Sequence, residues 1–166
     1  MLEQLGADFL VRPADVAEVE EGSPEVVARE NALSKALAVA RPGELVLGVD
    51  TIVALDGAIY GKPADEAQAA ATLRALSGRT HEVVGGLALV DDGEVREAAT
   101  ETTRVTFRDV DDALLKWYLG TGDWRGRAGG YAIQGRGAAM VRRVEGDYLN
   151  VVGLPVTRLL DVLLRG

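Results

Sequence analysis

The sequence has no cysteine and a single histidine, His81. The first absence excludes disulfides, zinc–thiolate centres and a thiol nucleophile; the second excludes a multi-histidine metal site. Any bound metal must be held mostly by oxygen, which favours magnesium or manganese. No apolar run approaches the roughly 18 residues that a membrane span needs. The opening MLEQLGADFL lacks a basic n-region and a sustained apolar core, so nothing marks export and the cytoplasm is the expected location. Cations are outnumbered: 18 Lys and Arg face 26 Asp and Glu, a formal net charge of −8. Such a surface repels DNA and RNA at long range, and small anions bind only where local cations converge.

What is present is a chain of 166 residues, 48% hydrophobic, which suffices for one domain with a full core. Neither an internal repeat nor a low-complexity linker interrupts it. LEQLG reads as the tail of a helix ended by Gly6, followed by a strand DFLVR and an acidic loop EVEEG. Ser23-Pro24 supplies an N-cap and a pre-set first turn for a helix to about Ala40. A hairpin turning at Asp56-Gly57 comes next, then a helix DEAQAAATLRALSG and two long strands joined at DDG. DDALLKWYLGTG is a further helix, RAGGYAIQGRGAAMVRRV a glycine-rich loop running into a strand, and LPVTRLLDVLLRG a closing helix. Strands and helices are interspersed, and the hairpins exclude a purely parallel sheet. The expected class is α/β, with a mixed twisted sheet and flanking helices.

Three stretches could carry chemistry. In LGVDTIVALDGAIYGKP, a two-residue turn at Asp56-Gly57 sets Thr51 opposite Lys62 and Asp50 opposite Pro63. Asp50 and Lys62 are then diagonal neighbours at the open end, although the pleat sends them to opposite faces unless a bulge or strand end intervenes. A plain ion pair would leave the same pattern, but strand ends are where open sheets bind ligands. On the helix from Pro24, Val26, Glu30, Leu33 and Leu37 fall on one stripe, so Glu30 interrupts an apolar face, while Asn31 and Lys35 share another side. Glu30 then needs a cation or a solvated cleft, unless it reaches water near the helix start. RAGGYAIQGRG holds four glycines in eleven residues, beside Arg127, Tyr131 and Gln134. Glycines let backbone approach a ligand, and an amide can both donate to and accept from a base edge. In SGRTHEV, Arg79, Thr80 and His81 stand between a helix and a strand, where a lone histidine is more often a local hydrogen-bonding residue than a catalyst.

Taken in order, LVLGVDTIV, GKP, LSGRTHEV, TRVTFR, AGGYAIQG, EGDY and NVVGLP resemble the Maf family of nucleoside triphosphate pyrophosphatases, from Leu2 to the C-terminus. The resemblance implies a fold related to the inosine triphosphate pyrophosphatases, and cleavage of a nucleoside triphosphate to the monophosphate and pyrophosphate with a divalent cation, magnesium or manganese. It implies a homodimer, and it gives Asp50, Lys62 and Lys35 the catalytic roles. Asp50 would hold the metal, with Glu30 or Glu18, the latter lying where the family often has an acid. Substrate contacts fall to Gln134, Thr51, Arg79, Thr80, Arg127 and Tyr131. Gln134 matches the glutamine of the branch acting on dTTP and UTP, where a 7-methyl-GTP branch has glutamate. Arg127 stands where a lysine is common, and Gly126 replaces a frequent acidic neighbour.

Family members place a strand and a Ser-x-Ser-Pro-Arg-Arg-like phosphate-binding segment ahead of the helix ending in LEQLG, and this chain starts inside that helix. A domain truncated at its N-terminus is expected, through a late start, a shortened chain or a real loss. Two other functions stay open: a weakened nucleotide-binding or septum-formation regulator, and a purine (ITP or XTP) pyrophosphatase, because ENALSKA resembles the first-helix pattern of that related superfamily.

Overall fold

Two glycines decide how the first helix meets the sheet. The computed structural model describes residues 1–164, and in it α1 (Pro24–Val39) lies across β1 (Leu45–Leu55) and β3 (Thr80–Asp91). A Cβ on Gly48 would stand 2.2 Å from the Ala32 carbonyl oxygen, and one on Gly86 2.0 Å from that of Ala28. Only glycine permits this approach, and α1 answers with its small residues: Ala28, Ala32 and Ala36 are fully buried. The buried stripe is therefore Val27, Ala28, Asn31, Ala32 and Ala36, while Val26 and Leu37, expected to face the core, are 43% and 44% exposed. Close backbone contact outweighs the burial of larger side chains here.

The remaining elements are β2 (Ala58–Tyr60), α2 (Glu66–Leu76), β4 (Glu94–Phe107), α3 (Asp112–Thr121), β5 (Val141–Glu145), α4 (Tyr148–Val152) and α5 (Val156–Leu163). The five strands form one sheet in the order β2-β1-β3-β4-β5, and every neighbouring pair is antiparallel. The α/β class with flanking helices holds, but the sheet is antiparallel and not mixed. α2 joins β2 to β3, which run the same way, yet β1 lies between them and opposes both.

The hairpin register agrees with its turn from Leu55↔Ala58 to Val53↔Tyr60. Beyond Tyr60 the chain peels away, and the Gly61 carbonyl accepts from Gly129 N at 3.1 Å. Thr51 and Asp50 consequently have no partner on the β2 side, neither Lys62 nor Pro63, and pair only on the other edge of β1, with Gly85 and Gly86 of β3. Residues 7–20 form no strand; Leu10 and Val11 are 84% and 80% exposed. This stretch is tied down by side chains instead: Arg12 donates to the Val39 carbonyl at 3.2 Å and pairs with Glu44.

α1 covers one face of the sheet. The other face carries the larger core, where Val53, Val83 and Phe107 pack with Leu73 of α2, Tyr118 of α3 and Tyr131 of the glycine-rich segment. α5 closes its far end through Leu159 against Leu89. No helix among the described residues is long and apolar enough to cross a membrane.

Candidate active site

Asp50 sits two residues after Gly48, so the pleat aims it toward α1, against which Gly48 packs. Its side chain is 8% exposed and one oxygen, Oδ1, lies 2.6 Å from Lys35 Nζ. Asn31, one helical turn before Lys35, donates to the other oxygen, Oδ2, at 3.3 Å. Lys35 Nζ also reaches Glu18 Oε1 at 2.7 Å, so one ammonium bridges two carboxylates. Burial opposes the Lys35 charge, but the hydrogen bonds and charges of Asp50 and Glu18 outweigh it and hold its pKa above the ordinary lysine value. The hydrogen bond from Lys35 holds Glu18 below the usual glutamate range, against a smaller opposing effect of burial, and the charges of Lys35 and Lys62 add to it.

Asp50 also lines a cavity of about 640 Å³. Its other walls include Thr51 and Val53 of β1, Lys62 beyond the hairpin, and Val152 and Gly153 at the end of α4. The glycine-rich segment supplies Arg127, Tyr131 and Gln134, and the turn after α3 supplies Asp123 and Arg125. Gly129 seats that segment: it holds φ +66, and a Cβ there would lie 2.9 Å from Val53.

Six of the residues singled out from the sequence thus meet at one cavity: Asp50, Thr51, Lys62, Arg127, Tyr131 and Gln134. Lys35 and Glu18 join through Asp50. Tyr131 serves as wall more than as ligand, because its hydroxyl is engaged by His81 Nε2 at 2.8 Å and the ring packs edge-on against Phe107. Burial raises the Tyr131 pKa and pushes that of His81 down to about 4.

Three expected residues lie elsewhere. Glu30 is 41% exposed and pairs with Arg29 at 3.0 Å, because the face it shares with Val26 and Leu37 looks to solvent. Arg79 pairs with Asp56 at the hairpin turn, and Thr80 exchanges a hydroxyl hydrogen bond of 2.8 Å with Thr106 across β3 and β4. Neither lines the cavity. The diagonal Asp50–Lys62 neighbourhood read from the hairpin is not formed by strand pairing, and the cation that Asp50 pairs with is Lys35. Residues without an assigned role also prove central. Asn31 was visible only as a helix neighbour of Lys35, and Arg125, 4.5 Å from the Trp124 ring centroid, gave no signal beyond its place before the glycines.

An acid held by an ammonium stands at the wall of a cavity that gathers Lys62, Arg125 and Arg127 beside Asp123, a local excess of cations of the kind that suits a small polyanion. The chain belongs to the Maf family: residues 1–165 match the family described as Maf-like protein. It is 44% identical over 163 residues to a dTTP/UTP pyrophosphatase of Pyrococcus furiosus, covering 96% of this chain and 85% of that protein. It is 46% identical to one of Exiguobacterium sibiricum, covering 94% and 80%, and 45% identical to one of Symbiobacterium thermophilum, covering 98% and 86%.

Proposed function

We propose that the protein hydrolyses dTTP and UTP to the monophosphate and pyrophosphate. The observation carrying this reading is the Asp50–Lys35–Glu18 cluster at a cavity lined by Lys62, Arg125, Arg127 and Gln134: cations for a triphosphate and an amide for a base. The names of the relatives support the choice of nucleotide.

Magnesium or manganese belongs to the reading. No group of three or more candidate metal-binding side chains occurs among the described residues, but Mg²⁺ at a nucleotide site uses one or two carboxylates and takes its other ligands from phosphate and water. Asp50 and Glu18 fit that donor set. Glu30 does not. Bound there, the cation would polarise the α-phosphate.

In the reaction, a water oxygen bonds to the α-phosphorus and the bond from that phosphorus to the α–β bridging oxygen breaks, so pyrophosphate leaves with the bridging oxygen. Asp50 accepts a hydrogen bond from the attacking water, orients it and takes the proton that the water gives up as its oxygen bonds to phosphorus. Lys62 and Arg127 stand against the charge that builds on the leaving pyrophosphate. Lys35 holds Asp50 and Glu18 in place, a different part from direct contact with phosphate. The Gln134 amide donates to O4 and accepts from N3–H of thymine or uracil.

The test is pyrophosphate release from dTTP, UTP, CTP, ITP and XTP with either metal. Asp50→Asn should lower release at least about 100-fold while the far-ultraviolet circular dichroism stays the same. Survival of activity in that variant removes Asp50 from its role, and a preference for ITP or XTP overturns the pyrimidine assignment.

A further inference from the structure

A buried carboxamide must satisfy one acceptor and two donor positions. Asn31, 1% exposed, spends them on two partners. Its Oδ1 accepts from Val19 N at 2.7 Å, and its Nδ2 donates to the Val19 carbonyl at 3.1 Å and to Asp50 Oδ2 at 3.3 Å. The first two bonds copy what a neighbouring strand would offer Val19, in a stretch that has no strand of its own. One turn later, Lys35 makes the same connection with charge, joining Glu18 to Asp50. Two adjacent residues of the irregular stretch are therefore tied to the same acid by two residues of α1 four apart.

The two ties differ in what they can specify. An ammonium on a flexible stem pairs with a carboxylate from many directions, so Lys35 does not fix which residue of the stretch lies beside Asp50. The amide is more demanding, because it bonds the N–H and C=O of one residue together, and a slip by one residue turns those groups and the Glu18 side chain to the opposite side of an extended stretch.

We propose that Asn31 is a positioning residue for the hydrolysis: by clamping the Val19 backbone it sets the register that brings Glu18 beside Asp50, and through Oδ2 it fixes the orientation of Asp50. The proposal rests on the reading of Asp50 and Glu18 given above.

Asn31→Leu removes all three bonds at similar volume, and Val19→Pro removes the Val19 N–H and fixes φ there while leaving α1 untouched. In the full chain, a Glu-specific protease should cut about tenfold faster at Glu18, Glu20 and Glu21 in Asn31→Leu, and at Glu20 and Glu21 in Val19→Pro, where the bond after Glu18 precedes a proline and such a protease does not cut it. Their kcat/KM for dTTP should fall about tenfold in the native background; when Glu18→Gln is already present, Val19→Pro should cost less than about twofold and Asn31→Leu should keep only the smaller loss that acts through Asp50 Oδ2. A purely structural asparagine gives losses that multiply in the double variant, and that result overturns the proposal, as does an unchanged cleavage rate. Should Asn31→Leu fail to fold, Val19→Pro decides. If the unaltered protein releases no pyrophosphate from dTTP or UTP, the proposed function falls while the protease rates still decide whether the clamp exists.

Discussion

Asp50 and Gln134 could be singled out in the sequence because each is a polar residue in a setting that does not ask for one: an acid after LVLGV, and an amide among glycines. The structure places both at one cavity. Asn31 could not be found that way, since its partners are the backbone of Val19 and a carboxylate 19 residues on, and neither leaves a periodic trace. Arg79 and Thr80 failed for the converse reason: a polar motif between helix and strand serves equally well to pin a turn and a strand pair. At this scale the sharpest prediction concerns Gln134. Gln134→Glu removes the N–H donor to O4 and sets a charge beside that carbonyl, while an acceptor for N3–H remains. Losing such a hydrogen bond costs about 1–3 kcal/mol, on the order of 10–100-fold in kcat/KM. The loss should be large for dTTP and UTP and smaller for CTP, whose edge carries a donor at that position. An equal loss across all three bases would show that Gln134 supports its loop and does not choose the base.

Element ends were legible because caps and turns are local. Ser23 and Asp111 accept from Val26 N and Leu114 N as their N-cap positions require, and Asp92-Gly93, both at positive φ, turn β3 into β4. The buried face of α1 was not legible, because it is decided by Gly48 and Gly86 on two other elements. Those glycines make a testable pair. Adding one methyl at Gly48 or Gly86 drives it into the α1 backbone, and such overpacking costs about 1–3 kcal/mol. Since α1 must lift, Lys35 and Asn31 leave Asp50, and activity should fall by more than the stability loss alone accounts for. Gly120→Ala, inside α3 where an added methyl would meet nothing within 4 Å, should instead stabilise by about 0.5–1 kcal/mol. Chemical denaturation of the three variants, with pyrophosphate release measured well below each transition, checks both halves. Full activity in Gly86→Ala would mean that α1 need not sit so close.

The sheet's direction was the largest feature that the sequence reading missed, expecting a mixed sheet where every pair is antiparallel. Hairpins exclude an all-parallel sheet, but nothing local says that α2 will carry the chain past β2 to the far side of β1, where it must run antiparallel. The same long-range packing buries His81 between Phe107 and Tyr131 and gives the whole molecule a dependence on pH. Its folded pKa is pushed down to about 4 by burial, against an ordinary value of 6.5. Between those values the unfolded chain binds a proton that the folded chain does not, so stability is full above pH 6.5 and is lost as pH falls toward 4. The carboxylates held by cations, Glu18 and Glu44, lose their contribution only below about their ordinary 4.5, and Lys35, whose pKa is raised, loses its own only above 10.5. The interval from pH 6.5 to 5 therefore isolates His81. Over it the unfolding free energy should drop by roughly 1.5 kcal/mol, read by urea titration at half-unit steps. In His81→Leu the Tyr131 hydroxyl loses its partner and stability at pH 7 falls, but the curve between pH 6.5 and 5 should be flat. A variant that keeps the slope would assign the dependence to groups other than His81.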